Sequence, residues 1–328
     1  MSMAHINPGR LLNRLGFYAA IAAPFILVAM AEHPFFIQIG IGIAISAILA
    51  LAWDILSRTG QVSLGHAAFF GMGGYGSALL TPVLGTVPGW IAGILLCGAV
   101  AVLLGVVTLR LRRLYFTIAT LSFSLSIQVF ILVTPDLTGG STGIMPSVIA
   151  GGSPPHQLLF ITACLIVAAT VSDIFLGPRF RPAFFMIRNN PHLAAASGVP
   201  VTRLKILAFA VSGMVAGLAG ACYAGLYGYV IPDDVFTTNW NVLPLAVTIL
   251  GGMDTTLGPI IGAVALRALE ELARHAVGGV GYQVVYGAVI ILFIVGMPVG
   301  LVGFAKGLIQ RRRKAAAKAD TVKAKLAS

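Results

Sequence analysis

Charge is what this chain has least of. Asp, Glu, Lys and Arg make up 9% of its 328 residues, against about one quarter in soluble globular domains, whose surfaces they cover. With 58% hydrophobic residues and a mean hydropathy of +0.96, most of the outer surface must face lipid. An ordinary soluble enzyme is thereby excluded. Cysteine is almost as scarce: Cys97, Cys164 and Cys222 are far apart and each lies in an apolar run. They read as small packing residues and imply neither a disulfide framework nor a metal site. The chain also has no G-x-x-x-x-G-K-[ST] motif, so it does not hydrolyse ATP through a P-loop. Gly71-Met72-Gly73-Gly74-Tyr75-Gly76 matches G-x-G-x-x-G, but it lies in a membrane segment. It lacks the preceding strand and the later acidic residue that a dinucleotide site needs. No cofactor is expected.

What is present is length of apolar sequence. Runs able to cross about 30 Å of hydrocarbon occupy 15–31, 36–57, 89–109, 114–133, 158–176, 206–230 and 281–304. Two further regions are glycine-rich or interrupted: 62–80, and 242–275 with a break at Gly251-Gly252-Met253-Asp254. Counting these as one pass and two passes gives an all-α, polytopic helix bundle of about ten transmembrane passes. The A-x-A pattern at Ala29-Met30-Ala31 resembles a signal-peptide cleavage site, but a second apolar run follows at once, which favours an uncleaved first span.

Basic residues orient the bundle. The formal net charge is +11, yet its placement is a topology signal and implies no nucleic-acid partner. With both termini cytoplasmic, ten passes put nineteen of the twenty-one Lys and Arg residues on the inner side, as short cytoplasmic loops require. Glu32, Asp136, Asp233 and Asp234 fall outside. The exceptions, Arg267 and Arg274, are expected to form i,i+4 pairs with Glu271 and Glu270. The chain then divides into a cytoplasmic N-terminus (1–14), a transmembrane permease domain (15–304) holding a loop at 177–205, and a basic tail (305–328). That tail suits a stop-transfer anchor touching anionic membrane lipid.

Small residues mark close packing. Ser212, Ala216, Gly220, Ala224 and Gly228 form one row of the 206–230 span; Gly213, Gly217, Ala221 and Gly225 form another. Such rows let helices approach where no hydrophobic effect drives them together, either within one bundle or between two chains.

Three stretches are candidates for function. The glycine-broken segments, 60–80 and 250–262, fall one in each half, and paired interruptions point to a translocation path; Gln61, Ser63, His66, Gly71, Gly251, Gly252 and Gly258 are the candidate lining residues. Ser63 and His66 would be helix neighbours, which raises an intramembrane serine hydrolase as a rival, although such chemistry needs an oriented base and an oxyanion hole. A passive channel or ion-coupled carrier is a third class; coupled carriers commonly place charge at the bilayer midplane, whereas Asp173, the one clear acidic residue in a mid-to-late span, sits near the inner end. Phe184 to Val199 reads as one short amphipathic helix ended by glycine, which suits either lying on lipid or docking a soluble partner.

Together these stretches resemble the M-type permease subunits of ABC transporters for branched-chain amino acids, over roughly residues 36–304. Gly60-Gln61-Val62-Ser63-Leu64-Gly65-His66-Ala67-Ala68-Phe69-Phe70-Gly71 is similar to that family's most recognisable block. Arg188 to Gly198, running into Val201-Thr202-Arg203-Leu204-Lys205, is similar to its coupling helix; Leu250 to Gly262 is the third block. The resemblance implies a non-enzymatic inner-membrane importer subunit. Its partners would be a second related permease chain, two cytoplasmic ATPase subunits and a periplasmic solute-binding protein. It places Arg188, Asn189, Asn190, Pro191, Ala194 and Gly198 in the ATPase-coupling loop. Pro191 and Ala195 stand where family members often carry acidic residues, and a similar Asn-Pro pattern occurs in relatives importing urea or short amides, so those solutes are the alternative.

Overall fold

The computed structural model describes residues 8–111 and 113–277, with scattered positions between 281 and 307. The long helices are α1 (Pro8–Met30), α2 (Pro34–Ser57), α3 (His66–Leu84), α4 (Thr86–Thr108) and α5 (Arg113–Val133). After a short turn of helix, α6 (Pro135–Thr138), come α7 (Pro154–Phe175), α8 (Arg181–Asn189), α9 (Pro191–Ala196) and α10 (Val201–Tyr227). Another short turn, α11 (Pro232–Val235), leads to α12 (Asn239–Gly251) and α13 (Leu257–Val277). Prolines in the first turn start α2, α7, α8 and α9, where the missing N–H leaves no bond unmade. Among the described residues no strand forms, and one antiparallel bridge joins Ile144 to Val230.

Six of these helices, α2, α3, α4, most of α5, α7 and α10, are long and apolar enough to cross a membrane. In α1 the apolar stretch is shorter, Gly16–Met30. The expected two passes over 242–275 correspond to the hairpin α12–α13, in which α12 has 13 residues and α13 turns charged in its second half. The expected last span, 281–304, and the basic tail lie largely outside the described residues.

α10 is the hub, packed on α2, α3 and α4. Both of its small-residue rows are spent within the chain. At Gly220 a β-carbon would lie 1.8 Å from the Phe70 carbonyl oxygen of α3, and at Gly73 one would lie 2.1 Å from that of Gly217. On the other row, Gly213 faces Ala101 and Gly217 faces Cys97, both on α4. α2 is buried along nearly its whole length, whereas α4 and α5 turn Leu103, Val107, Leu114 and Val133 outward, as lipid-facing helices do.

One expectation fails here. The segment 62–80 is not broken at its glycines: α3 runs without interruption from His66 to Leu84, and Gly71, Gly73, Gly74 and Gly76 lie inside it. Their missing side chains admit neighbours instead, the Phe236 ring at Gly71 and the α10 backbone at Gly73. In lipid a helix keeps its own hydrogen bonds unless something replaces them, so glycine alone does not open it.

Candidate functional site

The polar residues concentrate at one end of the bundle, where α2 and α7 finish and α12 turns into α13. Asp54 and Arg58 form an i,i+4 ion pair on the last turn of α2, 0% and 4% exposed. Arg58 Nε donates to Asp54 Oδ2 at 3.0 Å, and its Nη2 reaches the same oxygen. The guanidinium also donates to the Ser172 carbonyl at 2.8 Å and the Ser172 hydroxyl at 2.7 Å, tying α2 to α7. The other carboxylate oxygen of Asp54 accepts the Asp254 N–H at 3.1 Å. A buried pair this well supplied is costly to break, because the survivor is an uncompensated charge.

Asp254 lies in the turn between α12 and α13. Here the second expected interruption is present: Gly252 has φ +117° and Asp254 φ +62°, a region that side chains seldom adopt and that Asp tolerates better than most. Gly258, whose N–H bonds Thr255 Oγ1 at 3.0 Å, packs so that a β-carbon would meet the Gly252 carbonyl; Gly251 is equally closed by Gly258. The Asp254 carboxylate then reaches out to Arg188 Nη1 on α8 at 2.8 Å.

The loop before α3 is non-helical backbone supplied with partners. Trp53 Nε1 donates to the Ser63 carbonyl at 3.0 Å, the Leu64 N–H to Thr120 Oγ1 at 3.1 Å, and Thr117 Oγ1 to the Val62 carbonyl at 2.7 Å. The Ser63 hydroxyl accepts the Gly65 N–H at 3.1 Å. Gln61 is buried with its Oε1 unpartnered among the described residues. His66 Nε2 lies 3.0 Å from Ser212 Oγ, and Ser212 gives its single proton to the Ala52 carbonyl at 2.6 Å. The imidazole Nε2 is therefore the donor to Ser212. The basic nitrogen is then Nδ1, which has no hydrogen-bond partner among the described residues, so Ser63 is not bonded to it; both residues are buried, and no Ser63–His66 dyad is formed.

Residues 184–199 are two helices, not one. Asn190 stops α8 with extended backbone (φ −149°) and caps α9, its Oδ1 accepting the N–H groups of His192 and Leu193 at 3.1 Å each. Pro191 starts α9, Ala194 is its buried contact, and Gly198 follows with φ +81°. Asn189 donates to the Phe185 carbonyl at 2.9 Å. Stacked rings of Phe175, Phe180 and Phe184, with centroids 5.1–5.9 Å apart, fix α8 to the end of α7. Phe185 and Leu193 stay 69% and 61% exposed. A cavity of about 450 Å³ lies between α8 and the polar network, lined by Arg58, Phe184, Phe185, Arg188 and Asp254.

Sequence reading missed Asp54 and Asn241. Asp54 is announced by its spacing, an acid at the end of an apolar run with a basic residue four later. Asn241, whose Oδ1 accepts the Ala67 N–H at 2.8 Å, caps α3 from 174 residues away and leaves no local signal. Asp173, weighed for a carrier, bonds Tyr18 at 2.7 Å and Thr256. On α13 the expected Glu270–Arg274 pair forms, at 3.0 Å, whereas Arg267 bonds Glu270 rather than Glu271, at 2.7 Å, and Glu271 faces His275.

The family model described as branched-chain amino acid transport system / permease component matches residues 35–294, and the chain belongs to that family. It is a transport subunit. The high-affinity branched-chain amino acid transport system permease protein LivM of Salmonella typhimurium is 28% identical over 315 residues, 84% of this chain and 73% of that protein. LivM of Escherichia coli is 27% identical over 330 residues, 89% and 76%. The autoinducer 2 import system permease protein LsrC of Yersinia pseudotuberculosis is 25% identical over 222 residues, 64% and 58%. No solved structure matches the chain.

Proposed function

We propose that this permease carries branched-chain or related small aliphatic amino acids inward, driven by separate ATPase subunits that dock on α8 and α9. The observation that carries the proposal is the continuous polar chain Arg188–Asp254–Asp54–Arg58–Ser172. It joins the candidate docking helix to the interrupted α12–α13 hairpin and to the buried core helix α2. A push on α8 thus reaches transmembrane elements through rigid, hydrogen-bonded contacts. Exposed Phe185 and Leu193 offer the apolar knobs that an ATPase cleft takes up.

The same end of the bundle gathers Arg58, Arg110 and the 177–205 loop, while Glu32, Asp136, Asp233 and Asp234 lie toward the other. That asymmetry supports a cytoplasmic Arg58 end and, with the unassigned last span, ten passes with both termini inside. The full assembly in this reading pairs the chain with a second related permease, two ATPase subunits and a periplasmic binding protein. An aliphatic amino acid is favoured as the solute because the relatives that align over 84% and 89% of the chain are named for branched-chain amino acids.

The test is the double substitution Phe185→Glu with Leu193→Glu, both on exposed positions. Membrane insertion is expected to persist while co-purification with the ATPase subunits and leucine uptake fall at least tenfold. Uptake at the wild-type rate would overturn the docking assignment. Binding of leucine rather than urea by the partner binding protein checks the solute.

A further inference from the structure

Midway along α13 apolar sequence gives way to charge. The Arg267 guanidinium lies against Gly42 of α2, where a β-carbon would come within 2.9 Å of its Nη2. Gly42 is eight residues from the start of α2, about 12 Å along a helix. Arg267 is ten residues from the start of α13, about 15 Å from the Asp254 end. The charge therefore sits well within the thickness that α2 crosses. Ionisable side chains at such depth are costly, and they are kept where they face a water-filled cavity or a solute path.

A cavity is present there. It measures about 610 Å³ and lies between α2, α10, α12 and α13, within the size range of small-molecule sites. One wall is aromatic: the Tyr223 ring lies 4.6 Å from Tyr227 and 5.8 Å from Trp240, centroid to centroid. Ile45 and Leu243 add an apolar patch. Several polar atoms of the wall are already committed. Tyr223 donates to Asp234, Trp240 Nε1 to the Asp234 carbonyl at 2.9 Å, and Ser46 back to the Gly42 carbonyl at 2.8 Å. Arg267 is different. Its bond to Glu270 Oε2 uses one of the five N–H donors of a guanidinium.

We infer that this cavity is a transient site for an α-amino acid in its zwitterionic form on the way across the membrane. The carboxylate would take the Arg267 fork in a charge-assisted pair. The ammonium would lie beside Glu270 and the faces of Tyr223 and Tyr227, which attract cations, and the aliphatic side chain would lie against Ile45 and Leu243. The inference rests on the amino-acid reading above and adds to it a selection within the permease itself, for both charges of the solute.

Trp240 reports on the site directly, since it forms part of the wall. The permease, assembled with its ATPase subunits in lipid nanodiscs without the binding protein, is titrated with L-leucine, leucinamide and 4-methylpentanoate while tryptophan fluorescence is followed. Leucine is expected to give a saturable change that disappears in Trp240→Phe. Leucinamide, without the carboxylate, and 4-methylpentanoate, without the ammonium, should each require about tenfold more, the effect of one lost charge-assisted contact. Arg267→Gln should weaken the leucine response by the same factor, and Arg267→Lys by less. Leucine uptake by the wild-type importer with its binding protein is measured in parallel. If the wild type takes up no leucine, the reading of the solute is overturned. If uptake is normal but leucine elicits no change, or acts no better than leucinamide, the site alone is overturned, and the wild-type protein suffices to decide it.

Discussion

Residues 71–76 contain four glycines and so do residues 251–262, yet the first stretch is the interior of one uninterrupted helix and the second is a chain reversal. Composition does not distinguish them. In α3 every glycine presents a bare surface to another element, the Phe236 ring or the backbone of α10 or α4, while the helix keeps its own ladder. In the second stretch the ladder stops because other groups take its place: Asp54 Oδ1 for the Asp254 N–H and Thr255 Oγ1 for the Gly258 N–H. A reversal packed against the bundle therefore needs supplied partners as well as permissive residues, and here the principal supplier is an ion pair on α2.

That contrast breaks first at Asp54. Asp54→Ala would leave Arg58 buried and unpaired and the Asp254 N–H without its acceptor. A loss of about 3–5 kcal/mol is expected, read as a large fall in thermal unfolding temperature of the purified protein, with uptake lost. Replacing both partners, Asp54→Leu with Arg58→Met, should restore most of the stability but not the uptake, since the connection from Arg188 to α2 stays cut. If the single substitution costs no more than a surface pair, about 0–1 kcal/mol, the ion pair does not hold the reversal.

The α3 side is probed at Gly220. In Gly220→Val the added atoms would meet the Phe70 carbonyl, a backbone atom that no rotamer change can move. A cost of about 3 kcal/mol or more follows from overpacking. Gly74→Ala is the matching control: its β-carbon would lie 3.3 Å from the Gly220 carbonyl, close enough to need only a small adjustment. Equal stability of the two variants would mean that α3 and α10 are not in contact as described.

How legible this was in the sequence follows from the distance over which each signal acts. Apolar run length is local, so the all-helical bundle and the boundaries of α2, α5, α7 and α10 were readable within a few residues. The small-residue rows of α10 were readable too, though not their partners, because a row of glycines does not say which helix fills it. Gly198 signalled its turn, but the stop at Asn190 split one expected helix into two, since Asn caps a following helix as readily as it sits within one. Asn241 capping α3 and Ser212 holding His66 are meetings of residues 146 to 174 apart, and no periodicity encodes them.

Gly252 offers a finer cut. Its φ of +117° is a conformation that alanine adopts only with strain, so Gly252→Ala is expected to cost about 1–3 kcal/mol. Gly251→Ala would add a steric clash with the Gly258 carbonyl and should cost more. If Gly252→Ala instead raised the unfolding temperature, the backbone at 252 would have to differ from that described.

The smallest effect is expected at Ser63, in the loop before α3. The hydroxyl accepts one backbone N–H, that of Gly65, at 3.1 Å, and its side chain touches neither the network through Asp54 nor the cavity at Arg267. Ser63→Ala therefore removes one loop hydrogen bond, about 0.5–1.5 kcal/mol, and leaves the Ser63 carbonyl still held by Trp53. Uptake should stay within about twofold of the wild type, and the unfolding temperature should fall by only a few degrees. A Ser63→Ala protein that was fully folded yet inactive would give Ser63 a chemical role that its present contacts do not supply. The comparison of the two glycine-rich stretches would then have to be redrawn around the loop before α3 rather than around the reversal after α12.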